Sequence, residues 1–400
     1  MSLLPVEAAL EAILSHIPPV VIEHVPLKEA VGRVLAQDLV ASHDQPPFDA
    51  SAMDGYAVRA TDVCDDAVLK VIGTSQAGSG YSGTVGPGEA VRIFTGAPVP
   101  RGADTVIMQE EAVRDGDRVR FTAPARPGHS VRLKGNDFAV GQVLVAAGTR
   151  LTPMQIAVAA AANAASLAVA RRPRIALLAT GDELVLPGNR LEPDQIVASN
   201  SFGLAAMLQP YAERIVDHGI ASDDRVVLRS RLEAAFADAP DILITTGGAS
   251  VGEHDLVQDV LKDLGVSLDF WRINMRPGKP LMFGTRDKTL VFGLPGNPVS
   301  AMVTATAFIK PALRAWLGHS AAADWRLPLA SPTPANTARR HFMRARLVQS
   351  PFGPAAEPIA QTDSGHTSSL AAADLLIVQP EHDPGQPTGA VVAAIPIDAF

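Results

Sequence analysis

Between Ile175 and Leu317 the chain alternates short apolar runs with longer amphipathic stretches, and this alternation limits the fold more than any other feature. Ile175 to Ala179 and Ile242 to Thr246 are compact aliphatic runs, the pattern of strands buried on both faces. Arg214 to Val216, Leu281 to Phe283 and Leu290 to Phe292 read as further short strands. Ser201 to Leu208, Asp223 to Ala237, His254 to Leu264 and Pro298 to Leu317 read as helices. The rhythm predicts an α/β unit built on a parallel sheet with helices on both faces. Ligands of such sheets bind beyond the carboxyl ends of the strands.

Three loops occupy those ends. The richest is Thr245-Thr246-Gly247-Gly248-Ala249-Ser250-Val251-Gly252-Glu253-His254-Asp255. Adjacent glycines let backbone N–H groups approach an anion, the hydroxyls add donors, and a helix begins close by. Glu253 and Asp255 supply hard oxygens suited to magnesium. A tight strand-to-helix turn with an acidic cap explains the same residues. In Thr180-Gly181-Asp182-Glu183 the spacing of Thr180 and Glu183 is that of a capping box, but Pro187 and Gly188 leave no room for a helix of useful length. Asp182 and Glu183 are then free for a ligand or metal. In Leu294-Pro295-Gly296-Asn297-Pro298-Val299-Ser300, Asn297 reads as an N-cap with Pro298 at the first helical position, and Ser300 lies in the first turn.

Arg276-Pro277-Gly278-Lys279-Pro280 can continue neither a helix nor a central strand. It is either a rigid grip for an oxyanion or a solvated turn. Formal charge is −8, with 34 basic and 42 acidic residues, so nucleic acid and anionic membrane are poor partners and any bound anion needs a local pocket.

The remainder has a different texture. Val6, Leu10, Ile13, Leu14 and Ile17 recur at helical spacing, which predicts an amphipathic helix rather than a signal peptide. Residues 1 to about 40 read as helix, turn, helix. Short strands and turns follow to about 140, including a hairpin about Asp115-Gly116. Leu151 to Ala170 is uncharged and alanine-rich. It reads as a closely packed helix opened by the Thr152–Gln155 capping box, not as a membrane span. Ala321 to Arg340 reads as a linker, and the strand patterns beyond it predict a small β-barrel or sandwich. Cys64 is the single cysteine, so disulfides and cysteine-built zinc sites within one chain are excluded. Gly78-Ser79-Gly80-Tyr81-Ser82-Gly83 matches a dinucleotide fingerprint in letters only, because it opens no helix. Asp54-Gly55 is a hairpin turn, or else Asp49 and Asp54 reach one metal or phosphate.

Taken together, Asp49 to Ala57, Ile93 to Pro98, Lys134-Gly135-Asn136-Asp137, Thr180 to Leu184, Thr246 to Asp255, Arg276 to Pro280, Leu294 to Ser300 and Ser364 to Leu370 resemble one family over essentially the whole chain. It is the molybdopterin molybdenumtransferases, known in bacteria as MoeA and in animals as the gephyrin E domain. The resemblance implies four regions. They are a helical dimerisation region of residues 1–40 and 141–168, a β-rich inserted module of 41–140, an α/β molybdopterin-binding domain of 169–318, and a C-terminal β-barrel-like domain of 319–400. It implies a cytoplasmic homodimer whose active site lies between the α/β domain of one subunit and the β-rich module of the other.

The implied reaction inserts molybdenum from molybdate into adenylylated molybdopterin, with Mg2+ and release of AMP. By the same resemblance Thr180, Gly181, Asp182, Thr246, Gly247, Gly248, Ser250, Gly252, Pro295, Gly296 and Asn297 bind the pterin substrate. Asp182, Glu183 and Asp255 hold magnesium, and Glu183 and Asp255 act in catalysis. Asp54, Thr95 and Asp137 reach across from the partner subunit. Arg276, Lys279, Ser300, Arg344 and Ser368 bind molybdate, a tetrahedral oxyanion that needs cations and donors. Asp223 and Asp224 match an acidic pair of the family, and a helix N-cap explains them too. Ala50, Ala249 and Phe138 depart from the family's usual Asn, Val and Ile, and Ala50 removes an amide donor. Two other functions remain open here: the adenylyltransferase that precedes this step, which resembles the α/β domain alone, and a non-catalytic binding or scaffold role.

Overall fold

The computed structural model describes residues 3–397 except 65, 123, 249–255, 321–324, 352 and 361–362. At its centre is a six-stranded sheet in the order Arg214–Ala221, Arg174–Thr180, Ile242–Thr246, Thr289–Leu294, Met282–Arg286, Ser267–Phe270. The first four strands are mutually parallel. Met282–Arg286 runs antiparallel to both its neighbours, Thr289–Leu294 and Ser267–Phe270, so the sheet is mixed, which corrects the expectation of a parallel sheet. Only Asp287 and Lys288 separate Arg286 from Thr289, and so short a connection can join only antiparallel neighbours.

Side-chain alternation along the strands builds a core on each face of the sheet. Ile175, Leu177, Ile242, Ile244 and Phe292 pack with Leu204, Val299 and Phe308 on one side. Ala176, Leu178, Leu243 and Val291 meet Leu228, Leu232, Val257 and Leu261 on the other. The expected long helix runs as Pro298–Thr304, a π-helical stretch Ala305–Ile309, and Lys310–Trp316. Pro311 has no N–H for the ladder, so the helix widens just before it.

The N-terminal helix is Val6–Ser15 and buries Val6, Ala9 and Ile13 against the central sheet's core. The expected second helix is reduced to a single 3-10 turn, Leu27–Glu29. Pro18 and Pro19 break the chain, and the β-branched Val20, Val21 and Ile22 lead into strand Ile22–Pro26. The alanine-rich helix is likewise shorter than expected. Its capping box forms at Thr152 and Gln155, but the helix spans only Pro153–Ala161. Asn163 then takes the left-handed conformation at φ 60°, a common helix stop. Ser166–Ala170 is a strand that pairs antiparallel with Ile22–Pro26. The two stretches expected to meet as helices therefore meet as a β-ladder.

Strands Thr105–Met108, Gly55–Val58, Glu89–Ile93, Val68–Ser75, Arg118–Phe121 and Ala112–Asp115 form a second six-stranded sheet in that order. The hairpin expected near Asp115 forms, with Asp115 opposite Arg118. In the C-terminal sheet Arg340–Ser350 is flanked by Leu375–Gln379 and Gly353–Pro358. Val391–Pro396 and Trp325–Pro328 continue it. A bridge from Leu329 to Ala356 curls the sheet back on itself in a barrel-like way. Met275–Arg276 joins the sheet's far edge, placing Arg276 opposite His341. That pairing stitches the α/β unit to the C-terminal sheet. No helix among the described residues is long and apolar enough to cross a membrane.

Candidate functional site

The parallel strands end at Thr180, Thr246 and Leu294, and a cavity of about 400 Å³ opens beyond those ends. The expected residues Thr180, Gly181, Glu183, Thr246, Gly247, Gly248, Pro295, Gly296 and Asn297 all line it. Gly247 and Gly248 have φ of 90° and 62°. A Cβ on Gly247 would collide with the Thr180 carbonyl oxygen, and one on Gly248 with the Val257 side chain. Both positions therefore require glycine, and the loop's close approach to the first strand end is what shapes the cavity floor. Ser250, Gly252 and Asp255 lie outside the described residues.

Asp182 turns beside the cavity and accepts the Asp223 N–H at 3.0 Å. Asp223 lines the cavity, while Asp224 caps the following helix by accepting from Val226 and Val227. The acidic pair thus divides its work. Burial, together with the negative charges of Asp182 and Glu183, raises the Asp223 carboxyl above its ordinary value. Glu183 and Asp223 on the wall, with Asp182 beside it, bring mutually repelling carboxylate oxygens, the hard donor type that divalent cations take. Among the described residues no three His, Cys, Asp or Glu side chains converge closely enough to hold a metal by themselves.

Ser199, Asn200 and Ser201 also line the cavity and were not expected there. Asn200 donates to the Gly296 carbonyl at 2.7 Å, and its buried Oδ1 has no hydrogen-bond partner. That orphaned acceptor can meet a ligand N–H or O–H. In sequence Asn200 reads only as the start of a helix, so no local pattern marks it.

A second cavity of about 290 Å³ is lined by Arg276, Gly278, Lys279, Ser300, Arg339, His341 and Ser364, with Pro277 and Pro280. Pro280 also lines the first cavity, so the two adjoin. The rigid loop is therefore a cationic wall, not a solvated turn. Arg276 donates through Nε and Nη2 to Asn336 Oδ1 at 3.1 and 2.8 Å, a neutral acceptor that leaves its charge uncompensated. Burial and the neighbouring Arg339 lower its pKa. Among the described residues, none that lines this cavity is a carboxylate. Burial and Arg276, Arg344 and Arg339 push the His341 imidazole down to about 4, so it is neutral at pH 7.

The remaining expected residues lie apart from these walls. Arg344 is buried behind the second cavity, donating to Ser369 Oγ and the Asp363 carbonyl. Ser368 is exposed, and its neighbour Ser369 is the one that engages Arg344. Asn297 does not cap its helix with its side chain. It donates instead to Ser364 Oγ at 2.9 Å, tying the first cavity to the second. Asp54 accepts from both the backbone N–H and the hydroxyl of Thr95, at 2.7 Å each, and these bonds hold its carboxyl below the usual range. Asp137 is exposed, its N–H bonded to the Gln45 carbonyl. Asp54, Thr95 and Asp137 line neither cavity. Ala50 is buried opposite Arg132 in a short ladder and lines neither cavity.

Residues 4–163 match the family described as the MoeA N-terminal region (domain I and II). Residues 176–315 match the probable molybdopterin binding domain, and 326–397 the MoeA C-terminal region (domain IV). A molybdopterin molybdenumtransferase of Nostoc sp. is 41% identical over 300 residues, covering 73% of this chain and 69% of the relative. One from Haemophilus influenzae is 36% identical, covering 82% and 80% respectively. The crystal structure of a molybdopterin biosynthesis MoeA protein from Pyrococcus horikoshii superposes over 100% of both chains, with a TM-score of 0.86 and 34% identity.

Proposed function

Because this chain belongs to the MoeA family of molybdopterin molybdenumtransferases, we propose that its two adjoining cavities divide the work of molybdenum insertion in molybdenum cofactor biosynthesis. The first cavity takes adenylylated molybdopterin. Backbone N–H groups at Gly247 and Gly248, with Ser250 and Gly252 following, cradle its phosphates. Thr180, Gly181, Thr246, Pro295, Gly296 and Asn297 shape the walls, and Asn200 Oδ1 accepts from the substrate. The second cavity takes molybdate through Arg276, Lys279 and Ser300, with Arg344 fixing the wall behind. The observation that carries this reading is their contact at Pro280. It sets a cation-lined pocket for an oxyanion beside the glycine-rich strand ends that bind the pterin.

Asp182, Glu183, Asp223 and Asp255 would hold Mg2+, which supplies charge neutralisation on a phosphoanhydride. Cleavage of that phosphoanhydride adds an oxygen nucleophile at phosphorus and releases AMP, while the dithiolene sulfurs replace one oxygen on molybdenum, which leaves as water with the two thiol protons. Glu183 and Asp255 orient the nucleophile and accept its proton. Asp54, Thr95 and Asp137 complete the site from the second subunit of a homodimer, which accords with their place outside their own chain's cavities. A cytoplasmic setting accords with the exposed free thiol of Cys64. The adenylyltransferase alternative rests on the α/β unit alone, and the matches at both flanks favour the insertase.

The deciding experiment measures AMP release from adenylylated molybdopterin with Mg2+, with and without molybdate. Molybdate-stimulated release, with metal retained on the pterin, is expected. Binding of the pterin without such release would leave a binding or scaffold role. Mixing Asp54→Asn subunits with Glu183→Gln subunits tests the shared site. Random pairing should restore about a quarter of wild-type activity, since half the dimers are mixed and each carries one intact site. No recovery would place each site within one subunit.

A further inference from the structure

We propose that His341 couples oxyanion capture to the uptake of one proton, and so selects dianions over monoanions of the same shape. This rests on the second cavity being the molybdate pocket. His341 lies on strand Arg340–Ser350, is 6% exposed and forms part of the cavity wall. Three cations share that wall: Arg276 from the adjoining strand, Lys279 from the rigid loop, and Arg339 beside His341's own strand. Arg344, on the same strand, adds a fourth charge nearby. Of the neighbouring acids, Asp363 turns its Oδ1 to the Gly365 N–H, and Asp383 accepts from Gln379 and Gln386. Arg340 is already paired with Glu7 and Glu381. The balance at the imidazole is therefore positive, and with burial it keeps the ring neutral.

Opposite His341 in the strand pair stands Gln379. His341 Nδ1 and Gln379 Oε1 are both buried without a well-formed hydrogen bond, and the approach of Gln379 draws the imidazole upward against burial and the cations. A neutral imidazole has one N–H, which cannot serve Gln379 and an oxyanion together. The imidazolium has two. A cavity of 290 Å³ puts the centre of a bound anion about 4–5 Å from its walls. At that distance, with an effective dielectric of about 20, each negative charge strengthens proton binding by roughly two and a half to three powers of ten. Two charges hold the ring fully protonated at about pH 7.5, whereas one charge leaves it mostly neutral there. The proton comes from solvent, and no covalent bond changes besides N–H.

Calorimetric titration of the full chain with molybdate, in buffers of different ionisation enthalpy, reads the proton directly. Uptake approaching one proton is expected, with affinity falling about five- to tenfold per pH unit between about pH 6 and 7.5. Perrhenate, a tetrahedral monoanion, should bind with much less uptake. His341→Gln and His341→Asn should still bind molybdate, with a nearly flat pH profile. Ring NMR of the wild-type histidines on adding molybdate reports the same proton without a variant. No uptake by wild type, equal uptake with perrhenate, or an unchanged slope in the variants would overturn the proposal. If molybdate binds with undiminished affinity to Lys279→Ala, or not at all to the wild type, the pocket assignment itself fails, which is a separate result.

Discussion

Two cavities meet at Pro280, and they hold opposite charge. The one at the strand ends carries Asp223 and Glu183 with Asp182 beside them, while the other carries Arg276, Lys279 and Arg339 without a lining carboxylate among the described residues. On the function proposed above, the contrast would let one molecule take two anionic substrates. A phosphorylated substrate arriving with a divalent cation would be met by backbone N–H groups and by carboxylates for the cation. A small oxyanion arriving bare would be met by cations already in place. Their pH sensitivities also oppose each other. Asp223 has a raised pKa, so its contribution to stability is present below the ordinary carboxylate value and is lost as pH rises through the folded value. His341 is depressed to about 4, so its contribution is present above about pH 6.5 and is lost as pH falls toward 4.

The largest expected effect that would sharpen this contrast is at Lys279. Lys279→Ala should weaken molybdate about a hundredfold, in line with ~2–3 kcal/mol for a charge-assisted bond. AMP binding to the glycine-rich cavity should stay within about twofold of wild type. Equal losses of both ligands would merge the two cavities into one site. Gly247→Ala should do the reverse, lowering stability by about 2–3 kcal/mol and abolishing nucleotide binding, because the residue sits at φ 90° against the Thr180 carbonyl. Denaturant unfolding and AMP titration read both parts.

Smaller effects follow for the titrating groups. His341→Gln should flatten the loss of stability between about pH 6.5 and 4, worth roughly 3 kcal/mol at most, in urea melts across that range. Asp223→Asn relieves the repulsion from Asp182 and Glu183. It should raise the Tm by a few degrees at neutral pH without magnesium and reduce the further rise that magnesium gives the wild type. A variant that is less stable than wild type without magnesium would mean that the acidic wall is not under charge strain.

Much of this was legible in the residues. Gly247-Gly248 after a buried strand, and two prolines flanking Gly278-Lys279, mark two loops as candidates for holding an anion, and both line cavities. Asn200 and His341 were not legible. Asn200 looks like an ordinary helix start, and its orphaned Oδ1 exists only because Gly296, 96 residues away, takes its amide. That Ser369 rather than Ser368 accepts from Arg344 was not legible either, since which of two adjacent serines faces Arg344 depends on the turn of one short helix. The β-ladder between Ile22–Pro26 and Ser166–Ala170 was missed because an alanine-rich run has no strong period of its own.

By itself the sequence determined the α/β unit, its strand ends and the loops that line the two cavities, because buried strands, tight glycine turns and proline-fixed loops are local demands on local residues. The charge environment was decided only in three dimensions. The short Met275–Arg276 strand joins the C-terminal sheet, and that one long-range pairing sets Arg276 against His341 and closes the cationic cavity. Electrostatic energies depend on distance and burial rather than on order along the chain, so the side of Pro280 that became acidic and the side that became basic were settled by packing.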